Sequence, residues 1–334
     1  MQPVTCSAPG KIILFGEHAV VYGRPAIAVP VFEVRAQVTI EPRSDRRVEI
    51  DAVDIARRYS LNEAREGDPI ATIIRLTCAR LGVEPIDFAV RIHSTIPIGG
   101  GLGSGAAVSV AIARALGKFF VQLDADERGQ TRIKDFNLRS AAFVRVPILT
   151  TQDISDLAYE IEKLHHGTPS GIDNTVIAFE KPVYFVKGKP VESFHVTRPF
   201  TLAIADTGIA APTKIAVGDV RRAWEANRAL YESLFDQIGE IAITARRAIE
   251  NGEVNRLGAL MRQNQILLRQ IGVSSPDVER LVLAATMAGA RGAKLSGAGR
   301  GGNVIALVDE VTQDKIEDAL VKSGAQRVIV TEVR

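Results

Sequence analysis

Cysteine is almost missing from this chain. Only Cys6 and Cys78 occur in 334 residues, far apart and with no CxxC pair, which argues against a disulfide scaffold and a thiolate zinc site and points to a reducing cytoplasm. Blocks of like charge are missing too: 41 basic residues stand against 39 acidic ones, a net charge of +2, so neither nucleic acid nor a membrane surface is the expected partner. No eighteen-residue apolar run exists, and no spanning helix is expected. The first apolar stretch, Ile12 to Phe15, is broken at once by Gly16, Glu17 and His18 and cannot be the core of a signal peptide. Internal repeats and low-complexity segments do not stand out. With these classes set aside, the expected partner is a small, soluble substrate.

The length favours two domains. The opening is strand-rich, with β-branched runs at Lys11 to Phe15, Val20 to Tyr22, Ala26 to Phe32 and Val34 to Ile40 punctuated by Gly and Pro. Helical spacing over Asp68 to Leu81 is followed by alternation over Phe88 to His93, and an Ala- and Val-rich helix begins near Ser104. Residues 122–150 are polar and poorly periodic, an inserted loop or a partly formed helix. Ile154, Leu157, Ala158, Ile161 and Leu164 mark an amphipathic helix, with Asp153 as the expected cap and Gly167 as its end. Further on come strands at Pro182 to Val186 and Thr201 to Ala205. Helical patterns cover Lys214 to Ile249, Val254 to Gln270 and Pro276 to Ala290, and the chain closes with Asn303 to Val308, Thr312 to Lys322 and Arg327 to Val333. Strands and helices mix without steady βα alternation, so the expected class is α+β in two domains, 1–190 and 191–334, with the boundary near 187–193.

Pro97-Ile-Gly-Gly-Gly-Leu-Gly-Ser-Gly-Ala-Ala puts five glycines in seven positions just ahead of the Ala-rich helix. Backbone amides free of Cβ atoms at the positive end of a helix make a site for phosphate oxygens, so Pro97, Gly99, Gly100, Gly101, Leu102, Gly103, Ser104, Gly105 and Ala106 are the candidate phosphate-binding residues. Gly101, Gly103 and Ala106 formally satisfy the relaxed dinucleotide pattern, but Asp124 and Asp126 follow the helix in a polar stretch with no second strand between. No GxxxxGK[ST] occurs, which excludes the ordinary P-loop.

Three segments, Ala8-Pro-Gly-Lys-Ile-Ile-Leu-Phe-Gly-Glu-His-Ala-Val-Val-Tyr-Gly23, Pro97 to Ala107, and Lys294-Leu-Ser-Gly-Ala-Gly-Arg-Gly-Gly302, resemble in order and spacing the three motifs of GHMP kinases. The resemblance runs over nearly the whole chain apart from about 122–150. Within the family, Gly16 to Gly23 is similar to the branch whose substrate is mevalonate; galactokinases would show an Asp-Tyr pair after the Glu-His. The likeness implies a ribosomal-S5-like N-terminal domain, a ferredoxin-like C-terminal domain, ATP in a cleft between them, Mg²⁺, phosphorylation of mevalonate, and a homodimer.

His165-His-Gly-Thr-Pro-Ser-Gly-Ile-Asp173 resembles the family's loop with the catalytic aspartate, making Asp173 the expected general base and Lys11 its partner cation. Glu162, eleven residues earlier, matches the family's Mg²⁺ carboxylate, with Ser104 as a second metal ligand. Glu17 and His18 match positions that meet the substrate's hydroxyls and carboxylate, and Thr213 is a further candidate substrate contact. His165, His166 and His195 are read as structural. Two departures stand out. Gly105 occupies the place of a family serine whose hydroxyl helps hold Mg²⁺, and Arg300 replaces a glycine, where it would reach a phosphate or point to solvent. The rival readings are another GHMP kinase, acting on phosphomevalonate or homoserine, and a non-catalytic sensor on the same fold. A homoserine kinase is expected to lack the Lys11 and Asp173 pair, and a sensor to have lost the base or the cation.

Overall fold

The computed structural model describes residues 2–134, 146–166, 169–209 and 213–334. In chain order its elements are β1 Val4–Phe15, β2 Ala26–Pro42, β3 Val48–Ala52, β4 Arg57–Ser60, α1 Pro69–Leu81, β5 Phe88–Ser94, α2 Ser104–Lys134, α3 Thr151–His166, α4 Ile172–Phe179, β6 Val183–Phe185, β7 Glu192–Ser193, β8 Phe200–Asp206, α5 Thr213–Ala226, α6 Arg228–Glu250, α7 Val254–Gln270, α8 Pro276–Met287, β9 Gly292–Ser296, β10 Asn303–Val308, α9 Gln313–Lys322 and β11 Arg327–Val333. The α+β expectation holds.

Two compact units interleave along the chain. One takes in the described residues of 1–8, 35–95 and 105–167, the other those of 9–34, 96–104 and 168–334. The interleaving arises because β1 and β2 are long strands that each contribute residues to both units.

In the first unit β5 pairs antiparallel with the later half of β2 (Ala36 to Pro42) and parallel with β3, which pairs antiparallel with β4. Helix α1 starts where expected because Asp68 accepts a hydrogen bond from Ala71 N at 3.0 Å and Pro69 takes the first helical position. It packs against α3. The α3 cap is Thr150, not Asp153: Thr150 N donates to Asp153 Oδ2 at 2.9 Å and Asp153 N to Thr150 Oγ1 at 3.1 Å, a reciprocal capping box. Helix α2 runs on to Lys134 through part of the stretch left open above, while 135–145 and Gly167 lie outside the described residues. Its segment Ser104–Ala125 is long and apolar enough to cross a membrane, but 67% of the most apolar window is buried inside the protein, as in a core helix. Val110, Ala111, Ile112, Ala113 and Leu116 supply that buried face.

In the second unit the start of β2 pairs with β6, and β6 with β7. A separate antiparallel sheet has the order β11-β8-β10-β9. With β8 counted first, that order is 4-1-3-2 with helices between its first and second and its third and fourth strands, the ferredoxin-like arrangement. Helices α7 and α8 cover β9, and α9 packs on β8 and β11. Two local readings change here. Val20 to Tyr22 is not a strand but part of a 3-10 helix, Ala19–Tyr22, ended by Gly23 at φ +83°. The helical pattern from Lys214 to Ile249 is two helices, because Asn227 breaks it and caps α6 by accepting from Leu230 N at 3.3 Å.

Candidate active site

Strand β1 carries Lys11 along the glycine segment: Lys11 N donates to Leu102 O at 3.0 Å. The side chain then meets Asp173, with Nζ 3.0 Å from Oδ2. Asp173 sits in the first turn of α4, next to Gly171 at φ +90°, where the helix N-terminus favours a carboxylate. Gly103 closes this corner. It has φ +75°, and a Cβ there would lie 2.8 Å from Ile177 Cδ1 and 3.0 Å from Lys11 Cγ, so only glycine fits.

Gly99, Gly101 and Gly103 all take positive φ, turning successive amides of the segment in a way side chains with a Cβ resist. Asn303, the first residue of β10, donates through Nδ2 to Gly100 O, and Gly100 is buried against Pro97 and Asp206. The motif-three turn is tied down by Thr207 N to Gly302 O at 2.9 Å and Gly302 N to Ile209 O at 3.1 Å.

Glu17 is buried, paired with Lys294 and accepting from Asn264 Nδ2 at 3.1 Å. The structure thus places its carboxylate among protein partners. His18 is also buried, with φ +60°, and its Nε2 lies 2.9 Å from Ala298 O. A carbonyl only accepts, so Nε2 carries the proton. Burial pushes the imidazole down to about 4, with the Ala298 bond opposing and the Arg300 charge adding to the shift, so the ring is neutral near pH 7. Arg300 is exposed, and its guanidinium pairs with Asp219 on α5. Thr213 is exposed at the first position of α5. The side chains of His165 and His166 lie outside the described residues.

In the other unit Glu162 is buried near the end of α3. A Cβ added at Gly105 would lie 4.0 Å from Glu162 Oε1, so a serine there would bring its hydroxyl beside that carboxylate. Among the described residues no group of three or more His, Cys, Asp or Glu side chains could hold a metal ion by itself. One or two protein oxygens completed by phosphates and water is the donor set that suits Mg²⁺, a set to which the buried Glu162 carboxylate could contribute.

Residues 69–133 match the GHMP kinases N terminal domain and residues 245–326 the GHMP kinases C terminal domain. The mevalonate kinase of Thermococcus sibiricus is 32% identical over 346 residues, covering 98% of this chain and 95% of the relative. The chain is a GHMP kinase. A second relative, the mevalonate kinase of Pyrococcus abyssi, is 34% identical to this GHMP kinase over 91% of the chain and 88% of its own. Among solved structures, that of L. major mevalonate kinase in complex with R-mevalonate matches it with a TM-score of 0.79 and 27% identity, covering 99% of this chain and 95% of that one.

Sequence reasoning assigned no role to Lys294, Asn264 or Asn303 in this kinase. Lys294 had a readable signal: a lone lysine within an otherwise apolar strand segment needs a buried carboxylate partner. Asn264 and Asn303 had none, since a polar residue on a helix or at a strand start is ordinary.

Proposed function

We propose that this GHMP kinase transfers the terminal phosphoryl group of ATP to the 5-hydroxyl of mevalonate, giving 5-phosphomevalonate and ADP. The observation that carries this reading is the Lys11 and Asp173 ion pair at 3.0 Å, held against the glycine segment by the Lys11 N to Leu102 O bond. A non-catalytic sensor has no use for a base and a cation kept together beside a phosphate-binding turn. The choice of mevalonate draws on the names of the relatives above.

Phosphoryl transfer is chiefly positioning and electrostatics. Asp173 accepts the proton of the attacking hydroxyl, and Lys11, paired with it at 3.0 Å, offsets the charge that develops on the transferred group. The amides between Gly99 and Ser104 hold phosphate oxygens. Glu162 and Ser104 are the residues that would hold Mg²⁺, which when bound neutralises phosphate charge. His18 contacts the substrate, with Thr213 as a further contact. A cytoplasmic enzyme acting on a dissolved small molecule fits the balanced charge and scarce cysteine of the chain.

The test is ADP release with Mg-ATP and, separately, mevalonate, phosphomevalonate, homoserine or galactose. Turnover on mevalonate alone with a 5-phosphate product is the expected result. Turnover on another of the four instead, or silence on all four, would overturn mevalonate as the substrate.

A further inference from the structure

Lys294 and Glu17 form an ion pair in which neither side chain has any exposure to solvent. Lys294 Nζ also donates to Leu295 O at 2.6 Å, and Asn264 of α7 donates to the other Glu17 oxygen. Burial pushes the Lys294 ammonium down from its usual range, with Glu17 opposing. An ion pair taken wholly out of water is poor evidence of stability, because well-packed apolar residues of the same size often serve as well or better. Asn264 adds to the cost: its Oδ1 is buried without a hydrogen-bond partner. The cluster therefore calls for a reason other than stability.

The adjacent residue supplies one. His18 at φ +60° holds a conformation that a residue with a Cβ seldom adopts and that persists only where its surroundings over-determine it. Three anchors do so. Gly16, at φ +96°, is pressed so closely on the chain at 25–26 that a Cβ would lie 2.4 Å from Ala26 Cα. Glu17 is tied to β9 through Lys294 and to α7 through Asn264, and His18 donates to Ala298 O in the turn just after β9. Two consecutive residues are thus fastened to one short segment, 294–298.

We propose that Lys294 and Asn264 are positioning residues that act through Glu17 to fix the His18 ring, with Nε2–H committed to Ala298 and Nδ1 left as an acceptor for a substrate hydroxyl. A neutral ring held this way takes a proton donor and not the substrate's carboxylate. The inference rests on His18 being a substrate contact in the function proposed above.

The experiment compares the full-length protein with Asn264→Leu, Lys294→Met and the double variant Glu17→Gln/Lys294→Met. It reads the imidazole ¹⁵N shifts of His18, assigned with His18→Asn, beside Tm and the KM values for mevalonate and ATP. The wild type should show a single Nε2–H tautomer. Asn264→Leu should give a mixture of tautomers and raise the KM for mevalonate about tenfold or more with the KM for ATP unchanged. Lys294→Met should lower Tm, and the neutral double variant should recover Tm but neither the single tautomer nor the KM. Recovery of all three in the double variant would reduce the cluster to a structural role and overturn the proposal. So would a wild-type tautomer in Asn264→Leu. If the wild type proves inactive on mevalonate, the tautomer readout still decides, so the two failures are told apart.

Discussion

The Lys11 ammonium lies 3.0 Å from Asp173 Oδ2, and the two ends of this pair differ in access: the Lys11 side chain is 5% exposed, that of Asp173 26%. The cation is packed away from solvent, while the carboxylate keeps an open side. Asp173→Asn should lower kcat by about 10²- to 10⁴-fold, the usual worth of a general base, and leave binding of a non-hydrolysable ATP analogue intact by calorimetry. Wild-type-like turnover would remove Asp173 as base. Lys11→Met should cost a comparable factor, and the double variant little more than either, because the two act as a unit.

Gly103→Ala should be disproportionately damaging for one methyl group. The new Cβ meets Ile177 and Lys11 at 2.8 and 3.0 Å while the backbone stays at φ +75°. Strain of this kind costs about 1–3 kcal/mol, which a denaturant midpoint will register. Relief by moving Lys11 off Asp173 should appear as a fall in kcat, whereas a variant with unchanged midpoint and kcat would mean the corner is looser than its geometry.

Gly105→Ser restores a hydroxyl beside Glu162, at a site where a Cβ is accommodated 4.0 Å from Oε1. Electron paramagnetic resonance with Mn²⁺ as the probe should show tighter metal binding in the ATP complex, and Glu162→Gln weaker binding. Unchanged Mn²⁺ affinity in Glu162→Gln would remove that residue from the metal, independently of activity.

The pH dependence of stability should carry a His18 signature. Folded, the ring titrates at about 4 against an ordinary 6.5, so between these values the unfolded chain holds a proton the folded chain refuses. The contribution is complete above 6.5 and drains as the pH falls, by about 2 kcal/mol at pH 5. Urea midpoints at pH 7 and pH 5 should therefore converge in His18→Asn, a replacement that tolerates positive φ. Equal slopes in wild type and variant would place the titration elsewhere.

Much of this was written locally in the chain. The glycine segment, the 8–23 stretch and the 294–302 turn are contiguous, and α1 and α7 follow from apolar spacing within one window, α1 with the Asp68 cap in addition. What escaped notice depends on distant partners: Glu17 meets Asn264 and Lys294 across 247 and 277 residues, and no local pattern announces such pairing. Arg300 could not be placed without Asp219, 81 residues away. The local errors have local causes. Val20 and Val21 have high β-propensity, yet the positive φ of Gly16 and His18 turns the chain into a helical loop. Asn227 looked like one more helical residue, although its side chain starts a new helix.

The interleaving of the two units bears on the order of events at the ribosome. Residues 9–34 emerge early but belong with residues 168–334, and Glu17 waits 277 residues for Lys294. At about 5–20 residues per second that delay is roughly 14 to 55 s. Throughout it the Glu17 carboxylate is without its Lys294 partner, whereas β2 has all its strand partners once β6 has been made. The anchoring of the 16–18 turn is accordingly completed only after residue 294 has been made.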